Sequence, residues 1–103
     1  MVAAQVFNAL GDPTRLEIVQ RLSNGTSYTI TSVSEGLKIS RQAIRKHLQV
    51  LADAKLIRLS HKGRDTQVEL EKQTLEQAAA FIVQIEKQWD VRLDSLRNYV
   101  EKQ

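Results

Sequence analysis

Residues 74–101 contain neither glycine nor proline, and Leu75, Ala78, Ala79, Ile82, Ile85, Trp89, Leu93, Leu96 and Val100 recur there every three or four positions. That spacing is one apolar stripe on one continuous helix, opened by the capping-box pattern Thr74-Leu75-Glu76-Gln77. At about 1.5 Å per residue the helix is roughly 40 Å long. It takes more than a quarter of the 103 residues, and what is left is too small for two separate cores. One small domain cannot cover so long a stripe. The pattern predicts pairing with the same helix of a second chain about a two-fold axis, the alternative being a helix folded back along its own domain.

A second amphipathic helix lies at residues 40–54. Ile44, Leu48 and Leu51, with Ala43, His47 and Val50 beside them, face inward, which leaves Arg41, Gln42, Arg45, Lys46 and Gln49 together outside. Ser40 is placed to cap the first turn, so both arginines and Gln42 fall in the N-terminal half, the part of a groove-docked helix that meets base edges. Long polar side chains on a helix often form only a solvated face. The charge distribution argues for more: between residues 38 and 64 the cations Lys38, Arg41, Arg45, Lys46, Lys55, Arg58, Lys62 and Arg64 face the single anion Asp53. This window carries +7, whereas the whole chain carries +3 and the remainder therefore −4. Such segregation is the footprint of a polyanion-binding face.

The remaining elements follow from local signals. Val2, Ala3, Val6, Phe7 and Leu10 repeat as a short helix stopped at Gly11; Asp12 then caps a second helix with Pro13 at its first position and Leu16, Ile18, Val19 and Leu22 inward. Ser23-Asn24-Gly25 ends it, and residues 26–30 could supply a short edge strand. Ser32-Val33-Ser34-Glu35 matches a capping box for a short helix, so residues 32–54 read as a helix-turn-helix. Residues 56–61 and 66–70 alternate apolar and polar across Lys62-Gly63-Arg64-Asp65, which predicts a hairpin with Ile57, Leu59, Val68 and Leu70 facing the core and Lys62 and Arg64 at the tip. A cationic hairpin directly after a recognition helix is the wing of a winged helix, placed to touch a phosphate backbone or an adjacent minor groove. The expected fold is mainly α with a small β-hairpin, about five helices plus the wing, in a single domain over residues 1–103. His47, beside the buried stripe, is expected to be packed and hydrogen-bonded, and His61 solvated or near phosphate.

The absence of cysteine excludes disulfides, thiolate zinc sites and cysteine nucleophiles. The two histidines lie in different elements, and no phosphate loop or metal-spaced cluster occurs, so neither an enzyme nor a cofactor is expected. No apolar run is long enough for a bilayer and the start lacks a secretory pattern, so the expected location is cytoplasmic, without a membrane partner.

The strings Phe7-Asn8-Ala9-Leu10-Gly11-Asp12-Pro13-Thr14-Arg15-Leu16, Ile39-Ser40-Arg41-Gln42-Ala43-Ile44-Arg45-Lys46-His47-Leu48-Gln49-Val50-Leu51, Ala54-Lys55-Leu56-Ile57 and Lys62-Gly63-Arg64 resemble, in this order, the arsenic-repressor (ArsR) family of winged-helix transcriptional repressors. The resemblance implies a homodimer paired through its first and last helices, residues 1–11 and 74–101, that sits on a pseudo-palindromic operator in double-stranded DNA. Val6 and Phe7 would then join Ile82, Ile85, Trp89, Leu93 and Leu96 in the dimer contact. Ser40, Arg41, Gln42, Arg45, Lys46 and Gln49, with the wing residues 56–70 represented by Lys62 and Arg64, would hold DNA. Residues 31–36 lack the thiol of metal-sensing members, and the last helix lacks the histidines of zinc-binding ones. Asp90 and Asp94, one turn apart, are expected to pair with Arg92 or Arg97 rather than bind metal. An inducer is not legible. A winged-helix protein-interaction module that leaves DNA alone is the rival expectation.

Overall fold

A computed structural model describes residues 1–101. The chain runs α1 (Ala3–Leu10), α2 (Pro13–Leu22), β1 (Tyr28–Thr29), α3 (Ile30–Val33), α4 (Arg41–Asp53), β2 (Ile57–Lys62), β3 (Asp65–Leu70) and α5 (Lys72–Glu101). The strands form one antiparallel sheet in the order β1-β3-β2. Tyr28 pairs with Val68, and the hairpin register runs from Ile57 opposite Leu70 to Lys62 opposite Asp65. This is the expected winged helix-turn-helix.

Helix starts follow the capping chemistry. The Asp12 carboxylate accepts from the backbone N–H groups of Thr14 and Arg15 ahead of Pro13 at the first helical position. Ser40 Oγ accepts from the Ala43 N–H at 3.1 Å and opens α4. Inside, Ile18 and Leu22 of α2, Val33 of α3, Leu48 and Leu51 of α4, and Val68 of β3 are fully enclosed.

Four sequence expectations are corrected. The capping box of α3 is built from Thr29 and Ser32, three residues before the predicted Ser32–Glu35 pair, because β1 ends against β3 at Thr29 and the helix starts at once. The long helix begins at Lys72, and the Thr74 hydroxyl, 7% exposed, donates to the Lys55 carbonyl instead of capping. Leu16 points outward, 42% exposed. At 100° per residue it lies about 160° around the helix from Ile18, and the inward position falls to Arg15. Val6 is 0% exposed within its own chain, so it belongs to the core and offers no surface to a partner.

The exit of α4 carries the only positive φ outside glycine among the described residues, at Lys55 (63°). The Leu56 N–H bonds the Leu51 carbonyl and the Lys55 N–H bonds the Ala52 carbonyl, the Schellman arrangement with lysine where glycine is usual. A Cβ in this conformation costs about 1–2 kcal/mol, partly offset by the lower chain entropy of a non-glycine residue when unfolded. Lys55→Gly should therefore raise stability by about 0.5–1 kcal/mol, read as a higher urea midpoint at unchanged slope; an unchanged or lower midpoint would show that the turn is unstrained.

Candidate nucleic-acid interface

Burial of Ile44, Leu48 and Leu51 turns the opposite side of α4 to solvent, and Arg41, Gln42, Arg45, Lys46 and Gln49 are all exposed there. Arg41, Gln42, Arg45 and Lys46 make no side-chain hydrogen bond or ion pair among the described residues, so their donors are available. Gln49 differs: its amide donates to Asp53 at 2.8 Å one turn later. Arg21 fixes the helix-turn-helix from behind. Its guanidinium donates to the carbonyls of Val33 and Glu35 at 3.0 and 2.6 Å and pairs with Glu17 at 3.2 Å, tying α2 to the end of α3.

The wing meets this face. Gly63, at φ 63°, takes the first place of the two-residue loop Gly63-Arg64, where a left-handed backbone matches the twist of the paired strands. Arg64 is thereby carried over the start of α4, and it walls a cleft of about 180 Å³ together with Thr29, Thr31, Arg41, Arg45, Thr66 and one carboxylate, Asp65. Three guanidinium groups from two elements thus converge on one small opening.

The +7 window does not lie on one surface as a whole. Arg58 is held by Glu69 at 3.0 Å and Glu71 at 2.9 Å, because the strand register sets Glu69 opposite it. Lys55 lines a different cleft, with Met1, Val2 and Gln77. Lys38, Arg41, Arg45, Lys46, Lys62 and Arg64 remain without an anionic partner among the described residues. His61 sits near the wing tip against the Thr66 hydroxyl at 3.2 Å.

Behind α4, Arg15 forms a hub that the sequence did not disclose. Its Nε donates to the Ala9 carbonyl at 2.7 Å, its Nη2 to the Asn8 carbonyl at 3.2 Å, and its Nη1 lies 3.3 Å from His47 Nδ1. His47 Nδ1 is also 3.8 Å from Asp12 Oδ2. His47 is packed and hydrogen-bonded, as expected. The Asp12 carboxyl is held below its ordinary range, first by the Arg15 backbone N–H, with the Thr14 N–H and the Arg15 charge adding and desolvation opposing.

A second surface lies on α5. Ile82, Ile85, Trp89, Leu93 and Leu96 are between 44% and 61% exposed, a contiguous apolar stripe leaving the body of the domain. The molecule measures 70 × 25 × 22 Å, the long dimension set by this helix. Phe7 of α1 is half-buried and packs on Phe81 at a ring separation of 5.9 Å, at the edge of the stripe. Asp90 and Asp94 form no ion pair with Arg92 or Arg97 among the described residues, contrary to expectation, and no group of three or more His, Cys, Asp or Glu could hold a metal ion there.

Comparison with known proteins places these features in context. Residues 10–60 match a family model described as a helix-turn-helix domain. The chain is 42% identical to the uncharacterised HTH-type transcriptional regulator YuzN of Bacillus subtilis, over 57% of this chain and 71% of that protein. It is 37% identical to the transcriptional repressor SdpR of the same organism, over 57% of this chain and 64% of the relative. Its structure superposes with a TM-score of 0.82 and 33% identity on an ArsR-like transcriptional regulator from Rhodococcus sp., covering 93% of this chain and 90% of that one.

Acid acts on the hub through Asp12. A carboxyl whose pKa is lower folded than unfolded contributes stability that is present above the ordinary carboxylate range and is lost as pH falls through the folded value. Asp12→Asn keeps a capping side chain and removes the charge, so the wild-type advantage in urea midpoint should hold above about pH 5 and shrink as pH falls below it through the ordinary carboxylate range. A constant difference across that window would show that the charge of Asp12 contributes nothing.

Proposed function

Since the chain belongs to the ArsR family of winged helix-turn-helix transcriptional regulators, DNA-binding proteins that are not enzymes, we propose that it acts as a homodimeric repressor on a pseudo-palindromic operator. The observation that carries this reading is the cleft where Arg41 and Arg45 of α4 meet Arg64 of the wing. A DNA duplex is the polyanion that such an arginine-lined opening fits.

In this proposal residues 1–103 act as one unit. Each copy lays the N-terminal half of α4 into a major groove, and the two-fold axis sets the two helices about 34 Å apart, one turn of B-DNA. Arg41 and Arg45 present planar forks suited to guanine O6 and N7 or to phosphate, and Gln42 an amide suited to adenine N6 and N7. Ser40 and Lys46 hold phosphates. Gln49, already bonded to Asp53, serves the periphery. Lys62 and Arg64 bring the wing to the flanking backbone. The exposed stripe of Ile82, Ile85, Trp89, Leu93 and Leu96 pairs with its counterpart in the second copy, with Phe7 at the edge. No described helix is long and apolar enough to cross a membrane, and a gene regulator works in the cytoplasm beside its DNA. Repression is supported by the relative named a repressor.

Selection of duplexes from a genomic library would identify the operator and test the reading, since a protein-interaction module would enrich none. Arg45→Ala should then weaken operator binding by about 1–3 kcal/mol while leaving random-duplex affinity nearly intact; equal losses on both would mean that Arg45 does not read bases. Trp89→Asp, which places a charge in the middle of the stripe, should convert the dimer to a monomer in sedimentation and lower operator affinity together with it. A dimer unaffected by this substitution would remove α5 from the interface.

A further inference from the structure

We propose that Arg15 is a positioning residue for DNA recognition: one guanidinium locks the angle between the reading helix α4 and the assembly helix α1, and so sets the spacing of half-sites the protein accepts. The proposal rests on the two-fold operator reading above and adds a residue that does not touch DNA.

The geometry is a three-way junction. Asn8 and Ala9 lie in the last turn of α1, at the negative end of its dipole, where the Asn8 carbonyl also accepts from the C-cap Gly11 N–H at 3.1 Å. Two donors of Arg15 take both carbonyls, at 3.2 and 2.7 Å. The guanidinium is planar and rigid, so two bonds to α1 fix the direction of its remaining donors. Nη1 then lies 3.3 Å from His47 Nδ1, on the half-buried flank of α4. For this bond the ring proton sits on Nε2, leaving Nδ1 as an acceptor. The Arg15 backbone is pinned in turn by its N–H bond to Asp12 Oδ2 at 3.1 Å.

The two helices joined here have different tasks. α1 leans on α5 through Phe7 and Phe81, beside the assembly stripe, while α4 carries the reading face. The apolar contact of Ile44, Leu48 and Leu51 holds α4 in place but is non-directional. A directional bond from His47 through Arg15 to α1 adds the angular constraint. Two helices that must meet successive major grooves about 34 Å apart require it, because any rocking of α4 against α1 changes their separation.

The test uses full-length protein and synthetic duplexes carrying two copies of the half-site that wild type selects from a random library, at the selected spacing and with one base pair added or removed. His47→Leu removes the acceptor and leaves the bonds from Arg15 to α1; His47→Gln retains an acceptor in its side-chain carbonyl. His47→Leu should reduce the preference for the selected spacing by about tenfold with random-duplex affinity unchanged, and His47→Gln should hold it within about twofold. A residue that only supports folding would weaken binding at every spacing alike. The link is overturned if the leucine variant keeps the wild-type preference, or if glutamine loses as much as leucine. Wild type indifferent to spacing would overturn the two-fold reading and the link with it. Should His47→Leu fail to fold, Arg15→Lys carries the same test, because it keeps the charge beside α1 but cannot span three acceptors.

Discussion

The contact on which the rest of this structure depends is the seam between the inner stripe of α4 and the core built by α1 and α2. Ile44, Leu48 and Leu51 are almost wholly enclosed there, and burying each such side chain stabilises by about 1.5–3 kcal/mol. The same seam sets the rotation of α4 about its own axis. Rolling the helix by one position would bring a cation toward the interior, where a charge without a partner is costly. Stability and presentation of the polar face are therefore one requirement, met by three apolar residues.

Charge is then sorted by pairing. Cations near the root of the wing are neutralised by anions the sheet brings opposite them, as Glu69 and Glu71 do for Arg58. Those at the wing tip and on the outer face of α4 form no ion pair among the described residues, and three arginines meet beside the one carboxylate of Asp65 where α4 and the hairpin tip converge, so the positive field concentrates there. A net charge of only +3 thereby becomes a strongly polarised surface.

The long helix presents the opposite problem. Its first turns pack on the core through Ala78 and half-buried Leu75, and the rest carries its apolar stripe into solvent. The enclosed helix face of α4 and the open one of α5 are thus separated along the chain. The Arg15 junction lies between them. It rests at the end of α1, which packs on α5, and reaches the flank of α4.

Local chemistry made much of this legible. Asp12 before Pro13, Ser40 before α4, and Gly63 in a two-residue hairpin loop act over two or three residues, and the apolar periods of α4, the wing and α5 need no distant partner. The outward turn of Leu16 was implicit in the 100° step between residues. Other features depended on where separate elements meet. Thr29 and Ser32 formed the capping box because β3 ends β1 at Thr29, although Ser32 and Glu35 matched the same pattern. Val6 is core because α1 sits against the rest of the domain, and Arg58 is spent on Glu69 and Glu71 through strand register. Arg15 gave no local sign of its role, since its acceptors are two carbonyls of another helix and a ring 32 residues away. Periodicity and caps are properties of neighbours along the chain, and so the residues alone determined the elements and the two faces; which cations stay free, which apolar side chains stay exposed and which arginine joins the helices were decided only when the chain closed on itself.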